Sequence, residues 1–200
     1  MSKIKWKGGA LTAPVPPCMV SCGEGENANI ITIAWTGIIN TVPPKTYISV
    51  RPSRHSYGLI KESGEFCVNL TPASLIKTAD FCGIYTGKKV NKFERCGLTK
   101  EEASVVSCPT IGECPLSLEC KVTDIIPMGG THDLFLADIV AVNVEEKVLD
   151  ESGKLRMDKC SLLAYAHGDY FALGKKVGNF GFSVKKKHKS PSRRTNKRLK

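Results

Sequence analysis

A run of branched residues at 29–35, Asn-Ile-Ile-Thr-Ile-Ala-Trp, sets the first limit on what this chain can fold into. Branching at Cβ suits a pleated, half-buried surface better than the crowded turn of a helix. The run has company. Residues 45–51 alternate, with Thr46, Ile48 and Val50 on one face and Tyr47, Ser49 and Arg51 on the other. Residues 65–70 and 133–145 carry strand composition, and a short strand is expected within 14–23. Residues 118–125 alternate again, which directs Leu118, Cys120 and Val122 inward and Glu119, Lys121 and Thr123 outward. Helix signals are fewer. One covers residues 54–63, capped by Ser53, and another opens at Thr71-Pro72 with Leu75, Ala79 and Cys82 as its apolar stripe. The strands are not interleaved with regular crossover helices. The expected fold is therefore mainly β, an antiparallel β-barrel with packed helices, and not a doubly wound α/β sheet.

With 200 residues, 42% of them hydrophobic, one ordinary core is within reach. The apolar stretches at 30–35 and 135–144 are shorter than the roughly 18 residues a spanning helix needs. No apolar segment follows the basic residues near Met1, so no secretory signal is expected and a cytoplasmic location is. The net charge of +10 is uneven: residues 185–200 hold nine Lys or Arg and no acid, which leaves 20 basic against 19 acidic residues in 1–184. A near-neutral body argues against a dedicated nucleic-acid-binding fold. We therefore read 1–184 as the folded domain and 185–200 as a basic, disordered tail. Such a tail suits an anionic partner, whether nucleic acid, a membrane surface or an acidic protein, and equally suits simple solvation.

Nine cysteines cannot all pair, and none of their spacings has the two-residue gap of a zinc ribbon. Reduced, mostly buried thiols are expected, with no metal site. Cys82, ahead of Gly83 and near Lys88 and Lys92 in sequence, is the one thiol considered for a redox role.

The chemistry concentrates at residues 49–57, Ser-Val-Arg-Pro-Ser-Arg-His-Ser-Tyr, where a strand ends as a helix begins. Free amides at a helix N-terminus, the hydroxyls of Ser53 and Ser56, and the guanidinium of Arg54 suit one phosphate group. A solvated capping turn would use the same residues. The chain has neither a Gly-x4-Gly-Lys-Ser/Thr loop nor a Gly-x-Gly-x-x-Gly turn. Upstream, Asn29, Thr32 and Thr36 lie on or beside an apolar strand with Trp35. They fit either an ordinary buried strand or the polar edge and aromatic wall of a site for a flat ring. The adjacent pairs Glu101-Glu102 and Glu145-Glu146 read as surface charge.

Taken in order, these pieces resemble the flavin reductase-like family of FMN-binding split-barrel proteins. The order is Asn29-x2-Thr32-x2-Trp35, Pro43-Pro44, Ile48-Ser49-Val50-Arg51 with Arg54-His55-Ser56, then Ser63-Gly64-Glu65-Phe66-Cys67-Val68-Asn69-Leu70. Later pieces continue it: Gly87-x4-Lys92-Phe93, Gly97-Leu98-Thr99, residues 130–136 and residues 170–174. The similarity is greatest to the flavoredoxin and ferric-reductase branch. It implies a six-stranded antiparallel split barrel of Greek-key type that forms a homodimer, with FMN at the subunit interface. By matching positions, Arg54, His55 and Ser56 hold the phosphate with Ser49 and Arg51 beside them. Asn29, Thr32, Trp35 and Thr36 follow the ribityl chain and ring, and Lys92 and Phe93 help close the site. His132 matches a histidine at the open ring face and is the candidate catalytic residue, against the alternative of a capping turn histidine. The implied function is an oxidoreductase passing electrons from NAD(P)H through FMN to free flavin, ferric chelates or another acceptor. The alternative is a flavoredoxin-type electron-transfer protein that holds FMN tightly without nicotinamide activity. No catalytic triad is required, because the flavin carries the redox chemistry.

Overall fold

The computed structural model describes residues 1–184. The basic stretch 185–200 lies outside the described residues. Seven antiparallel strands form the main sheet: β1 (Cys18–Cys22), β2 (Asn29–Ile33), β3 (Thr36–Asn40), β4 (Lys45–Val50), β5 (Glu65–Asn69), β8 (Leu116–Pro127) and β9 (Asp133–Val144), in the order β2-β1-β5-β8-β9-β4-β3. Two short hairpins accompany it, β6 (Lys100–Glu101) with β7 (Thr110–Ile111), and β10 (Leu163–Ala166) with β11 (Asp169–Ala172). Three helices pack around the sheet: α1 (His55–Ser63), α2 (Ile76–Ile84) and α3 (Lys92–Cys96).

The sheet curls into a barrel because its two outermost strands are consecutive in the chain. The backbone leaves β2 at Ile33, turns through Ala34 and Trp35, and enters β3, while the Ser49 amide donates to the Trp35 carbonyl at 2.9 Å. Inside lies one core of Val20, Ile31, Ile48, Phe66 and Phe135. A second core, with Met19, Ile30, Cys82 and Phe93, fills the outer face where α2 and α3 cover β1 and β2. Covered on both sides, β1 and β2 are nearly continuous in apolar residues. On β4 only one face is covered, and Thr46, Ile48 and Val50 are its buried residues, as the alternation predicts.

The sheet has seven strands where six are expected, and the additional one is β3. Its Ile38 and Ile39 are exposed, so it carries no inside-outside alternation to mark it. Ser53 does not cap α1: Arg54 is the N-cap, and no side chain closes that end. At the other end Gly64, at φ +70°, lets the chain leave the helix and its amide donates to the Ile60 carbonyl. Thr71 is not a cap either. Its Oγ1 accepts from the Met19 amide, and a 3-10 turn, Ala73–Leu75, precedes α2.

The clearest departure is Glu119, expected outward and found fully buried. Its side chain does point away from the barrel core, between the inward-facing Leu118 and Cys120, and the pairing irregularity at this point lies in β9, where Val140 is the extra residue. The loop between β6 and β7 then folds over the carboxylate, which accepts from the Ser104, Val105 and Val106 amides, the Ser104 hydroxyl and Asn143 Nδ2. Glu65 holds the same loop by accepting from the Ser107 amide and hydroxyl.

All nine cysteines are free, and all except the half-buried Cys96 are buried. Burial pushes the Cys18, Cys22, Cys82 and Cys120 thiols up to about 12, so they remain protonated. Cys82 belongs to the outer core, which leaves its thiol packed and unreactive. Among the described residues no cluster of three or more His, Cys, Asp or Glu is placed to hold a metal ion. Among them, too, no helix is long and apolar enough to cross a membrane.

Candidate functional site

Two adjoining cavities open where β2, β4, α1 and α2 converge, and both are bordered by Ile31, Arg51 and Arg54. The larger, about 370 Å³, runs past Thr32, Trp35, Ser49 and His132 to Asp80 on α2 and Tyr165 and Tyr170 on the β10–β11 hairpin. The smaller, about 220 Å³, sits over the start of α1 and is lined by Asn29, His55, Ser56, Gly87 and Lys92.

The smaller cavity gathers hydrogen-bond donors and basic side chains. In the first turn of α1 the His55 and Ser56 amides have no backbone carbonyl to bond among the described residues, the Tyr57 amide donates to the Arg54 carbonyl at 3.1 Å, and no side chain caps the end. Arg54 is half-buried and makes no ion pair among the described residues. Asn29 Nδ2 donates to Ser56 Oγ at 2.8 Å, which orients both groups on the cavity wall. Gly87 is packed so closely on Asn29 that an added Cβ would lie 2.1 Å from Asn29 Oδ1. Lys92, buried, donates to the Ile30 carbonyl at 2.6 Å and the Cys82 carbonyl at 2.7 Å, which ties α3 to β2 and α2. Burial lowers its pKa. His55 is also shifted down, by burial and then by Lys88 and Lys92.

The larger cavity has an unmet polar demand. Thr32 Oγ1 is buried without a hydrogen-bond partner among the described residues, an arrangement that costs about 1–3 kcal/mol unless a ligand supplies the partner. If the cavity holds the FMN that the family resemblance implies, Thr32→Val is expected to leave the free protein's melting temperature unchanged or raised while weakening FMN binding about fivefold. Thermal melts with and without FMN check this; an equal loss in both would make the hydroxyl structural.

On the opposite wall, Arg51 Nε donates to His132 Nε2 across a long 3.4 Å, and Thr131 Oγ1 lies 2.8 Å from His132 Nδ1. Burial first, then Arg51 and Arg54, hold the His132 pKa below its usual 6.5. The imidazole is thus neutral at neutral pH, with its proton on Nδ1 if Nε2 accepts from Arg51.

Ten of the twelve residues singled out in the sequence border the two cavities. Thr36 and Phe93 do not. Thr36 is buried and its hydroxyl donates to the Tyr47 carbonyl at 2.6 Å, so it fastens β3 to β4. Phe93 lies on the face of α3 turned into the outer core. Asp80, Gly83, Tyr165 and Tyr170 line the larger cavity without having been singled out as site residues, although Tyr170 lies in a segment that carries the resemblance. Asp80 had no sequence signal, since a lone acid on an exposed helix face is unremarkable.

A curled antiparallel barrel with an uncapped helix end beside a cavity is the split-barrel arrangement of flavin reductases. Residues 11–174 match the model of the flavin reductase like domain, and the chain belongs to that family. By structure it is similar to flavoredoxin of Desulfovibrio vulgaris (Miyazaki F), with TM-score 0.85, 28% identity, and 92% of this chain and 100% of that one covered. Flavoredoxin of Methanosarcina acetivorans superposes at TM-score 0.83 with 27% identity and the same coverage of both chains. By sequence it is 35% identical over 117 residues to an uncharacterized protein of Archaeoglobus fulgidus, a match spanning 58% of this chain and 66% of that protein.

Proposed function

We propose that the chain is an FMN-dependent oxidoreductase that takes electrons from NAD(P)H and passes them to free flavin, a ferric chelate or another acceptor. One observation carries this: an uncapped helix end bearing Arg54 adjoins a cavity bordered by Trp35 and by Thr32, whose buried hydroxyl has no partner among the described residues. The residues fit FMN in charge and in hydrogen-bonding capacity. The first amides of α1, with Arg54, His55 and Ser56, would take the phosphate, with Ser49 and Arg51 beside it. Asn29 and Thr32 would meet the ribityl chain and ring edge, and Trp35 would wall the ring. Bound FMN supplies the hydride and electron transfer. His132 then acts as a neutral hydrogen-bonding group at the ring cavity. Ile38 and Ile39, exposed on the edge strand β3 close to Trp35, support assembly as a homodimer. In this proposal residues 1–184 are the flavin domain, and the basic 185–200 stretch meets an anionic partner. A salt-dependent affinity lost on its deletion is the test of that contact.

The flavoredoxin neighbours favour a second reading, a carrier that holds FMN and exchanges electrons with a redox protein. The visible spectrum of purified protein, with identification of the ligand released by heat, tests both readings at once. Colourless protein that fails to quench FMN fluorescence removes both. Stopped-flow mixing then separates them: fast bleaching by NADH or NADPH supports the enzyme, whereas slow bleaching beside rapid reduction by reduced ferredoxin supports the carrier. Because the His132 pKa is shifted down, any fall in reduction rate that its protonation causes is expected to have its midpoint below 6.5. A drop with a midpoint near 6.5 would show that His132 titrates as a free histidine.

A further inference from the structure

The larger cavity changes character along its length. At the β4–α1 end stand Arg51, Arg54 and the neutral His132, where the phosphate-binding turn begins. At the other end are Asp80 from α2, Tyr165 from β10 and Tyr170 from β11, with Trp35 between the two ends of the barrel sheet. The two tyrosines face each other across the hairpin, in register, with ring centroids 5.4 Å apart at 65°. Tyr170 Oη donates to Asp80 Oδ1 at 3.4 Å. Burial, followed by the Asp80 charge, raises the Tyr170 pKa, so the phenol remains a donor at neutral pH.

This end is firmly placed. Val15 and Tyr165 exchange backbone hydrogen bonds of 2.9 and 2.8 Å, and the Leu173 amide donates to the Leu162 carbonyl at 3.0 Å. An added Cβ on Gly83 would sit 3.4 Å from Thr32 Cβ, so α2 packs close against β2 just beyond Asp80. Among the described residues no lysine or arginine pairs with the Asp80 carboxylate. An unpaired carboxylate among three electron-rich rings attracts a flat cation more strongly than a neutral ring of the same shape, and it repels a flat anion.

We propose that Asp80, with Trp35, Tyr165 and Tyr170, forms a charge-selective subsite for the second substrate, which favours a planar cationic ring. This rests on the flavin reading above and deepens it. A dihydronicotinamide is neutral, and it becomes a cation when its hydride, one hydrogen nucleus with two electrons, leaves for the flavin. A carboxylate at the subsite therefore favours the charge that develops on the donor. Arg51 and Arg54 oppose such a cation until the anionic phosphate of FMN lies beside them.

The test uses three small probes of nearly equal shape and different charge: the 1-methylnicotinamide cation, neutral nicotinamide and anionic nicotinate. NMR titrations are run on the intact protein, both with FMN at saturation and without it, alongside a separate FMN titration. With FMN present the cation is expected to bind about tenfold more tightly than nicotinamide, and nicotinate more weakly than either. Asp80→Asn should bring the cation-to-neutral ratio to within about twofold of unity, and Tyr170→Phe should reduce it partway. A merely structural Asp80 would weaken all three probes alike and leave that ratio in place, and this result overturns the proposal. So does a ratio near unity in the unaltered protein. Protein that binds no FMN yet keeps the ratio refutes the flavin reading and leaves the subsite standing. Protein that binds FMN with a ratio near unity refutes the subsite alone.

Discussion

Arg54→Ala is expected to weaken FMN binding about a hundredfold or more, corresponding to ~3 kcal/mol for a charge-assisted contact to a phosphate. The free protein should melt at an unchanged temperature, because the Arg54 side chain makes no ion pair among the described residues and caps nothing. Arg54→Lys should recover only part of the loss, since a point charge replaces a planar fork. Quenching of FMN fluorescence gives the affinities directly. If the alanine variant binds FMN within threefold of the unaltered protein, the phosphate does not sit at the start of α1.

The second large effect concerns folding. Glu119→Gln is expected to cost about 3–5 kcal/mol, because it brings an amide donor into a pocket that already contains only donors. In a chain of this length that is a fall of roughly 8–15 °C in melting temperature. Burial by itself would raise the Glu119 pKa, but the Ser104 hydroxyl and amide, Asn143 and the Val105 amide outweigh it and hold it near 2, against an ordinary 4.5. The folded-state value lies below the unfolded one. The carboxylate's contribution, about 3 kcal/mol, is therefore fully present above pH 4.5 and is lost as pH falls from there toward 2. Melts of both proteins across that range are the measurement. The gap between them should close in acid, and a Gln variant that melts within 2 °C of the unaltered protein near neutrality would show that the loop does not depend on the charge.

The same residue marks where sequence reasoning loses its grip. Alternation along β8 identifies Leu118, Cys120 and Val122 as inward, and these residues do pack on the barrel core. Glu119 points away from that core as the alternation requires, but a loop from elsewhere in the chain covers it, and no local pattern encodes that cover. The missing strand β3 has a related cause. An edge strand with exposed isoleucines carries no burial alternation, and its existence follows from barrel closure. Arg54, His55 and Ser56 were legible because a strand-to-helix turn rich in donors is a local object. Thr36 lies off both cavities with its hydroxyl on the Tyr47 carbonyl, and a hydroxyl beside the site and a hydroxyl fastening two strands look alike in sequence.

By itself the sequence determined the mainly β character, the half-covered β4, the donor-rich turn at α1 and the family resemblance. All of these depend on residues close along the chain, where periodicity and dihedral preference act. The tertiary structure alone decided which residues share a wall: the unpartnered Thr32 hydroxyl, the latching of Lys92 onto two carbonyls, and the meeting of Asp80 with Tyr165 and Tyr170 across some 90 residues. Such encounters are set by how the barrel closes and what packs outside it. That closure is a balance of many long-range contacts, to which no single stretch of sequence holds the key.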